Sequence, residues 1–238
     1  MDNIGYTTLS RQSGLLKELE VVANNIANAS TTGFRREDVT FAEFIDRLGK
    51  GDDSLSMTAA LVRRIDSSQG TLNPTGGPFD LAIQGEGYFL IGTPQGPMLT
   101  RAGDFTTNES GELVTPEGHH LLDLGGAPIF VPPDAGDFAI GTDGTVQANG
   151  LPLAQIGLVA PDDPTDLQRR GNGLFESPGG FSPVADAVIL QGFTEAANVN
   201  PIAEISRLIE VQRSYEQGQK FMDQEDERIR NVIQTIGR

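Results

Sequence analysis

The chain has 238 residues, with 17 Lys and Arg against 33 Asp and Glu, so its formal net charge is −16. Binding nucleic acid or an anionic membrane surface requires a basic stripe, and no run of Lys or Arg supplies one. Cys and Trp are both absent; this excludes disulfides, Cys-ligated zinc and Cys nucleophiles, and it argues against platforms for stacking bases or sugars.

Composition divides the chain into three parts. All 14 prolines fall between Pro74 and Pro201, and of the 29 glycines only 3 lie in residues 1–45 and 2 in residues 202–238. The formal charge is −2 over residues 1–45, −1 over 202–238 and −13 between them. The expected class is α+β: a central, mainly antiparallel β domain flanked by N- and C-terminal helices that form a coiled-coil-type assembly region. The expected segments are a helical assembly segment over 1–45, a linker or extended segment over 46–73, a β-rich domain over 74–197 and a second helical assembly segment over 198–238. No unbroken apolar stretch approaches the roughly 18–20 residues of a membrane span. Residues 1–30 contain no h-region of a secretory signal.

The first helix is predicted from about Ile4 to Ala29. Leu15, Leu19, Val22 and Ile26 recur at helical spacing, with Leu16 and Ala23 widening the stripe. Ser30-Thr31-Thr32-Gly33 ends it, because Gly33 can take a left-handed backbone conformation. Asn24, Asn25 and Asn28 are unusual inside a helix; they either cap a frayed end or hydrogen-bond across a bundle. Arg35 and Arg36 either anchor the turn to acidic groups on a neighbouring molecule or form a solvated basic pair. Phe41, Phe44, Ile45 and Leu48 predict a short amphipathic helical extension before the loop over 49–53.

The centre reads as short antiparallel strands. Leu81 to Gln84 and Tyr88 to Ile91 flank Gly85-Glu86-Gly87, which is expected to be a tight hairpin. Phe138 to Ile140 and Thr145 to Gln147 flank Thr142-Asp143-Gly144, and Asn149-Gly150 leads into Leu153 to Val159. Asp-Gly and Asn-Gly are strong hairpin signals because the favoured turns need positive φ.

The last helix is predicted from Pro201, a natural first-turn proline, to Ile236. Leu208, Tyr215, Met222, Ile229 and Ile236 recur every seven residues, and the second seam row is read as Ile205, Gln212, Gln219, Asp226 and Ile233. A helix of this length on a small β body seeks another helix, either the N-terminal stripe or equivalent helices on other subunits. The expected assembly interface is therefore Leu15, Leu19, Val22, Ile26, Leu208, Tyr215, Met222, Ile229 and Ile236, acting by burial and register. The ends are expected to order fully only on assembly.

Chemical motifs are sparse. The Gly85-Glu86-Gly87 stretch lacks the third glycine and following helix of a dinucleotide fingerprint. His119 and His120 are strand neighbours that point to opposite faces. Asp162, Asp163 and Asp166 fit no calcium loop. No catalytic, cofactor-binding or metal-ligating set is expected, and no cofactor.

Four ordered blocks carry a resemblance. They are Ala23-Asn24-Asn25-Ile26-Ala27-Asn28 with Thr31-Thr32-Gly33-Phe34-Arg35-Arg36; Ser68-Gln69-Gly70-Thr71-Leu72 through Asp80 to Phe89; Thr100-Arg101-Ala102-Gly103-Asp104-Phe105 on to Gly118; and Val199-Asn200-Pro201 through Glu204-Ile205 to Tyr215-Glu216. Together they resemble the flagellar rod and hook protein family. The short length and the opening Tyr6 to Gln12 are most similar to the proximal-rod members of the family, with a distal-rod member as the alternative and hook protein disfavoured. The resemblance implies a non-enzymatic axial subunit with its terminal helices in an inner coiled-coil tube and its β domain outside. It also implies partners among other rod subunits and itself, and export through the flagellar type III apparatus without a cleaved signal. The final location implied is the periplasmic basal body. The alternative of another class is a periplasmic carbohydrate-processing or calcium-binding β protein with dimerising helices.

Overall fold

The computed structural model describes residues 2–46, 55–133, 136–184 and 187–236. It comprises two compact units that interleave along the chain. The first gathers Met1–Ala27, Glu37–Arg64 and Asn200–Arg238, and the second Asn28–Arg36 and Ile65–Val199. The class is α+β, with mainly antiparallel strands and a helix toward each end.

In the first unit, helix α1 spans Asp2–Ala27 and helix α2 spans Pro201–Ile236. At a rise of 1.5 Å per residue, α2 is about 54 Å long. Asn200 precedes it, and its side-chain oxygen accepts hydrogen bonds from the amides of Ile202 (3.1 Å) and Ala203 (3.2 Å), as an N-cap should. Between the helices in sequence, Glu37–Asp46 and Leu55–Ile65 form a two-stranded sheet. This corrects the expected helical extension: Phe41, Phe44 and Ile45 lie on a strand. Val39 and Phe41 also fit a period of two, aromatic and β-branched residues suit a pleated surface, and a partner strand satisfies the backbone groups. Leu48 and the loop over 49–53 lie outside the described residues.

The second unit is a β body. Its main sheet has nine antiparallel strands among the described residues and is built around Tyr88–Thr93. That strand pairs with Gly96–Thr100 along one edge; along the other it meets Leu158–Pro161 near its start and His120–Leu121 near its end. The largest core cluster includes Leu81, Ile83, Phe89, Ile91, Phe105 and Leu113, with the rings of Phe89 and Phe105 edge-on at 5.3 Å. Phe138–Ile140, Thr145–Ala148 and Leu151–Gln155 form the expected meander, with Ile140 opposite Val146 and both turns at their Asp-Gly and Asn-Gly sites.

The expected Gly85 to Gly87 hairpin is corrected. Leu81–Gln84 pairs with Val188–Gln191, not with Tyr88–Thr93, so these glycines carry the chain from one sheet to another. Gly85 and Gly87 have φ of 106° and 121°, which only glycine adopts freely. Positive φ marks a sharp change of direction, and tertiary pairing decides which strands it joins.

Asp104 in this body holds its proton more tightly than an ordinary carboxyl. Burial, and then the nearby charges of Glu117 and Asp80, raise Asp104 above its ordinary 3.8 despite an opposing backbone hydrogen bond. A raised carboxyl binds its proton more tightly folded than unfolded, so its stabilising contribution is full below pH 3.8 and is lost as pH rises through the folded value. Asp104→Asn is therefore expected to gain stability relative to the parent between pH 3.5 and pH 7. Urea unfolding of both chains at the two pH values checks this; a constant difference would contradict it.

Candidate assembly surface and its anchor

Helices α1 and α2 pack antiparallel within the first unit. Asn25 lies by Glu204, Glu18 by Arg207 and Gln12 by Tyr215, while Thr8 and Phe221 line one shared groove. The buried residues of this seam are unusually polar: Gln12, Glu18 and Asn25 from α1 and Glu204 from α2, beside Val21, Val22 and Val211. Each of these polar side chains makes at least one specific contact. Arg207 bridges Glu18 and Asp38, both at 3.1 Å. Gln12 Nε2 donates to the Tyr215 carbonyl at 2.9 Å. That amide lies where α2 has no side chain, since a Cβ on Gly218 would sit 2.0 Å from Gln12 Nε2.

Asn25 follows the cross-linking reading, whereas Asn28 accepts from the Thr31 hydroxyl at 3.3 Å in the turn after α1. The Asn25 Nδ2 donates to the Glu37 carbonyl (2.9 Å) and its Oδ1 accepts from the Glu37 amide (3.0 Å), so one side-chain amide pairs with a backbone amide in both directions. A third bond runs from Nδ2 to Glu204 Oε2 at 3.3 Å. Only a carboxamide both donates and accepts in this way. Asn25→Ala leaves buried groups unpaired and is expected to cost about 2 kcal/mol. The readout is amide exchange at Glu37, expected to become roughly 30-fold faster.

The expected interface residues separate into three groups. Val22 is buried, and Leu15, Leu19, Ile26, Leu208, Tyr215 and Met222 are half-buried, whereas Ile229 is 47% exposed. The side chain of Ile236 lies outside the described residues. The second row is corrected. Ile205, Gln212, Gln219, Asp226 and Ile233 are all exposed, and the row inside the seam is Glu204, Val211, Gly218 and Glu225, one residue earlier. Glu204 and Gly218 look unlike core positions until their α1 partners are known.

The turn after α1 is anchored inside the β body. Gly33 has φ of +65°, as expected, and its amide donates to the Glu195 carbonyl at 2.7 Å. Phe34 is buried, and the Arg169 guanidinium stacks 4.3 Å from its ring centroid and 5.1 Å from that of Phe175. Arg169 also donates to the Arg35 carbonyl.

Arg35 overturns both sequence readings. It is neither solvated nor paired with a neighbouring molecule; it is 1% exposed, with Nη1 2.9 Å from Oε1 of the equally buried Glu195. Nη1 of Arg35 donates in addition to the Ser68 carbonyl. Arg101 meets the other carboxylate oxygen at 3.2 Å and donates to the Ile83 (3.2 Å) and Gly85 (2.6 Å) carbonyls. Glu195 Oε1 also accepts from the Gly70 amide at 2.8 Å. Burial, then repulsion from Arg35, lowers Arg101 to about 10, with Glu195 opposing the fall. Arg36 is tied through its backbone: its amide donates to Asn198 Oδ1 at 2.6 Å, and Asn198 Nδ2 donates to the Asp66 and Ser68 carbonyls at 3.1 and 2.8 Å. Glu195 and Asn198 were missed in the sequence, although both fall just before the block that opens the last helix.

The acidic loop also has local occupants. Asp163 accepts from the Thr165 amide and hydroxyl, Asp162 from the Ser182 hydroxyl and Asp166 from the Gly179 amide. These carboxylates shape turns.

Three family models match in chain order: the flagella basal body rod protein over residues 6–35, the flagellar hook protein FlgE/F/G D1 domain over 82–148, and the flagellar basal body rod FlgEFG protein C-terminal region over 190–235. Flagellar basal-body rod protein FlgF of Caulobacter vibrioides is 42% identical, covering 100% of this chain and 99% of its own length, and that of Mesorhizobium japonicum is 40% identical, covering 98% and 97%. Flagellar basal-body rod protein FlgG of Bacillus subtilis is 31% identical, covering 96% and 97%. The chain belongs to the flagellar basal-body rod protein family.

Proposed function

We propose that this chain, a structural subunit of the flagellar basal-body rod, polymerises through its terminal helices and transmits torque as part of the proximal rod. The observation that carries the reading is the apolar surface left on α2. Ile202, Ile205, Ile209, Phe221, Ile229, Val232 and Ile233 are all at least two-fifths exposed on a helix whose intramolecular seam is polar. Exposed apolar residues in this number along one helix mark interaction sites. Leu15, Leu19, Val22, Ile26, Leu208, Tyr215 and Met222 set the register of the pair, while Ile229 faces other helices. The role is burial and register, with no chemical step. Coiled-coil contacts with itself and other rod subunits follow, and the export apparatus is the partner before assembly.

The proximal assignment is supported by identities of 37–42% to full-length relatives named FlgF, against 27–34% to those named FlgG. The acidic composition disfavours nucleic acid and anionic membranes as partners. Among the described residues no helix is long and apolar enough to cross a membrane.

The test is an in-frame deletion complemented with the full chain or with a chain lacking residues 201–236, followed by imaging of isolated basal bodies. Full-length complementation is expected to restore motility, and the truncated chain to leave rods incomplete. Intact hook–basal bodies in the uncomplemented deletion would overturn the reading.

A further inference from the structure

The cluster that anchors the turn after α1 in the β body buries more positive than negative charge. Arg35 and Arg101 share a single carboxylate, that of Glu195, and all three side chains are almost completely buried. Burial lowers Arg101 only to about 10, so it stays charged at neutral pH. The neighbouring Tyr88 supplies no negative charge, because burial raises its phenol above the ordinary 10.0. Asp66 lies within the field of Arg35 but, among the described residues, makes no ion pair with it; its carboxylate accepts from the Ser68 amide at 2.8 Å. The Arg169 guanidinium, stacked on Phe34 and Phe175, is a further cation. The Arg35–Glu195–Arg101 cluster thus holds one positive charge without a counter-charge of its own, an arrangement that is costly out of water.

The hydrogen bonds show the same surplus. A guanidinium carries five N–H donors in a rigid planar fork. Arg35 Nη1 donates to Glu195 and to the Ser68 carbonyl, whereas Nε and Nη2 have no partner among the described residues. Those two nitrogens make up one edge of the plane, where parallel N–H bonds hold an anion bidentately. Arg101 uses Nη1 and Nη2 on Glu195, Ile83 and Gly85, and its Nε is likewise without a partner. A water molecule at the Arg35 edge would accept the hydrogen bonds but leave the charge. An anion answers both, and only a small one suits nitrogens this far from solvent.

We propose that the Nε and Nη2 edge of Arg35 binds a small monovalent anion of the halide class, chloride being the abundant member, which balances the charge of the Arg35–Glu195–Arg101 cluster. The bound anion fastens the segment carrying Gly33 and Phe34 to the β body. It makes the stability of that unit depend on which anion is present, and not on ionic strength alone.

The test follows amide hydrogen exchange of the full-length chain as chloride replaces gluconate, a much larger anion, at constant ionic strength. A ligand held only by the folded state slows exchange through unfolding by about tenfold at concentrations an order of magnitude above its Kd. Saturable slowing is expected at the Gly33 and Gly70 amides, and bromide is expected to reproduce it. Equal exchange in chloride and gluconate would overturn the proposal. Arg35→Lys keeps the charge and removes the edge, so its response to chloride is expected to vanish; a response equal to that of the parent would refute the site. Should this variant fail to fold, crystals of the parent chain grown in bromide decide. Anomalous scattering is expected within hydrogen-bond distance of Arg35 Nε and Nη2, and a water or no ion at that edge would sink the inference.

Discussion

Replacing Glu195 by Ala is expected to destabilise the β-rich unit by about 3–5 kcal/mol, the range for breaking a buried ion pair by removing one partner. The carboxylate is the common acceptor for Arg35 Nη1, Arg101 Nη1 and the Gly70 amide. Without it, two guanidinium groups that are 1% and 3% exposed face each other with no counter-charge. Their margin is already thin: among the described residues Arg35 Nε and Nη2 and Arg101 Nε have no hydrogen-bond partner, and burial already lowers Arg101 to about 10. Water would have to enter, or the segment around Arg35 would have to leave the body. Urea unfolding followed by circular dichroism measures the loss, with an unchanged m-value marking a change of stability alone. Glu195→Gln, which keeps the size and one acceptor, is expected to lose about half as much. A loss under about 1 kcal/mol for the Ala variant would show that the carboxylate is not the keystone.

Gly33→Ala is the second large effect, about 3 kcal/mol or more, with two separable causes. At φ +65° any Cβ crowds its own carbonyl, at a cost of roughly 1–2 kcal/mol. The added Cβ would also lie 2.2 Å from the Ala102 nitrogen and 2.3 Å from the Arg101 carbonyl carbon. Those are backbone atoms and cannot swing aside, so overpacking adds about 1–3 kcal/mol. Gly76→Ala supplies the control: its φ is +73°, and a Cβ there meets nothing within 4 Å. Its unfolding midpoint should fall by the conformational cost alone. Equal losses in the two variants would refute the close approach between Gly33 and the 101–102 backbone.

The contrast between the helices and the anchor shows what kinds of information were readable. Leu208, Tyr215, Met222 and Ile229 were legible as one row because a seven-residue repeat is local and needs no partner to be seen. The adjoining row was not. Glu204 and Gly218 face α1 because Asn25 and Gln12 wait there, whereas hydropathy favours Ile205, which is exposed. A polar seam reverses the usual inference from apolar residue to buried face.

Strand pairing divides in the same way. The meander over 138–155 was legible because Asp-Gly and Asn-Gly join strands that are neighbours in both sequence and space. Gly85 and Gly87 gave the same local signal, but their flanking strands pair elsewhere, with Val188–Gln191 and with Gly96–Thr100. Over 37–46, helical and strand periods both fitted, and the pairing with Leu55–Ile65 decided for strand.

By itself the sequence determined the tripartite order, the acidic β body, the turn at Gly33 and the start of α2 at Pro201. Each follows from residue chemistry acting within a few positions. Tertiary structure alone decided that Arg35 is buried against Glu195 and that Asn25 clasps Glu37. It also decided which face of α2 meets α1 and which is left free. Those outcomes depend on groups far apart along the chain, where a charge or an amide is costly to bury alone and stable only once its partner arrives.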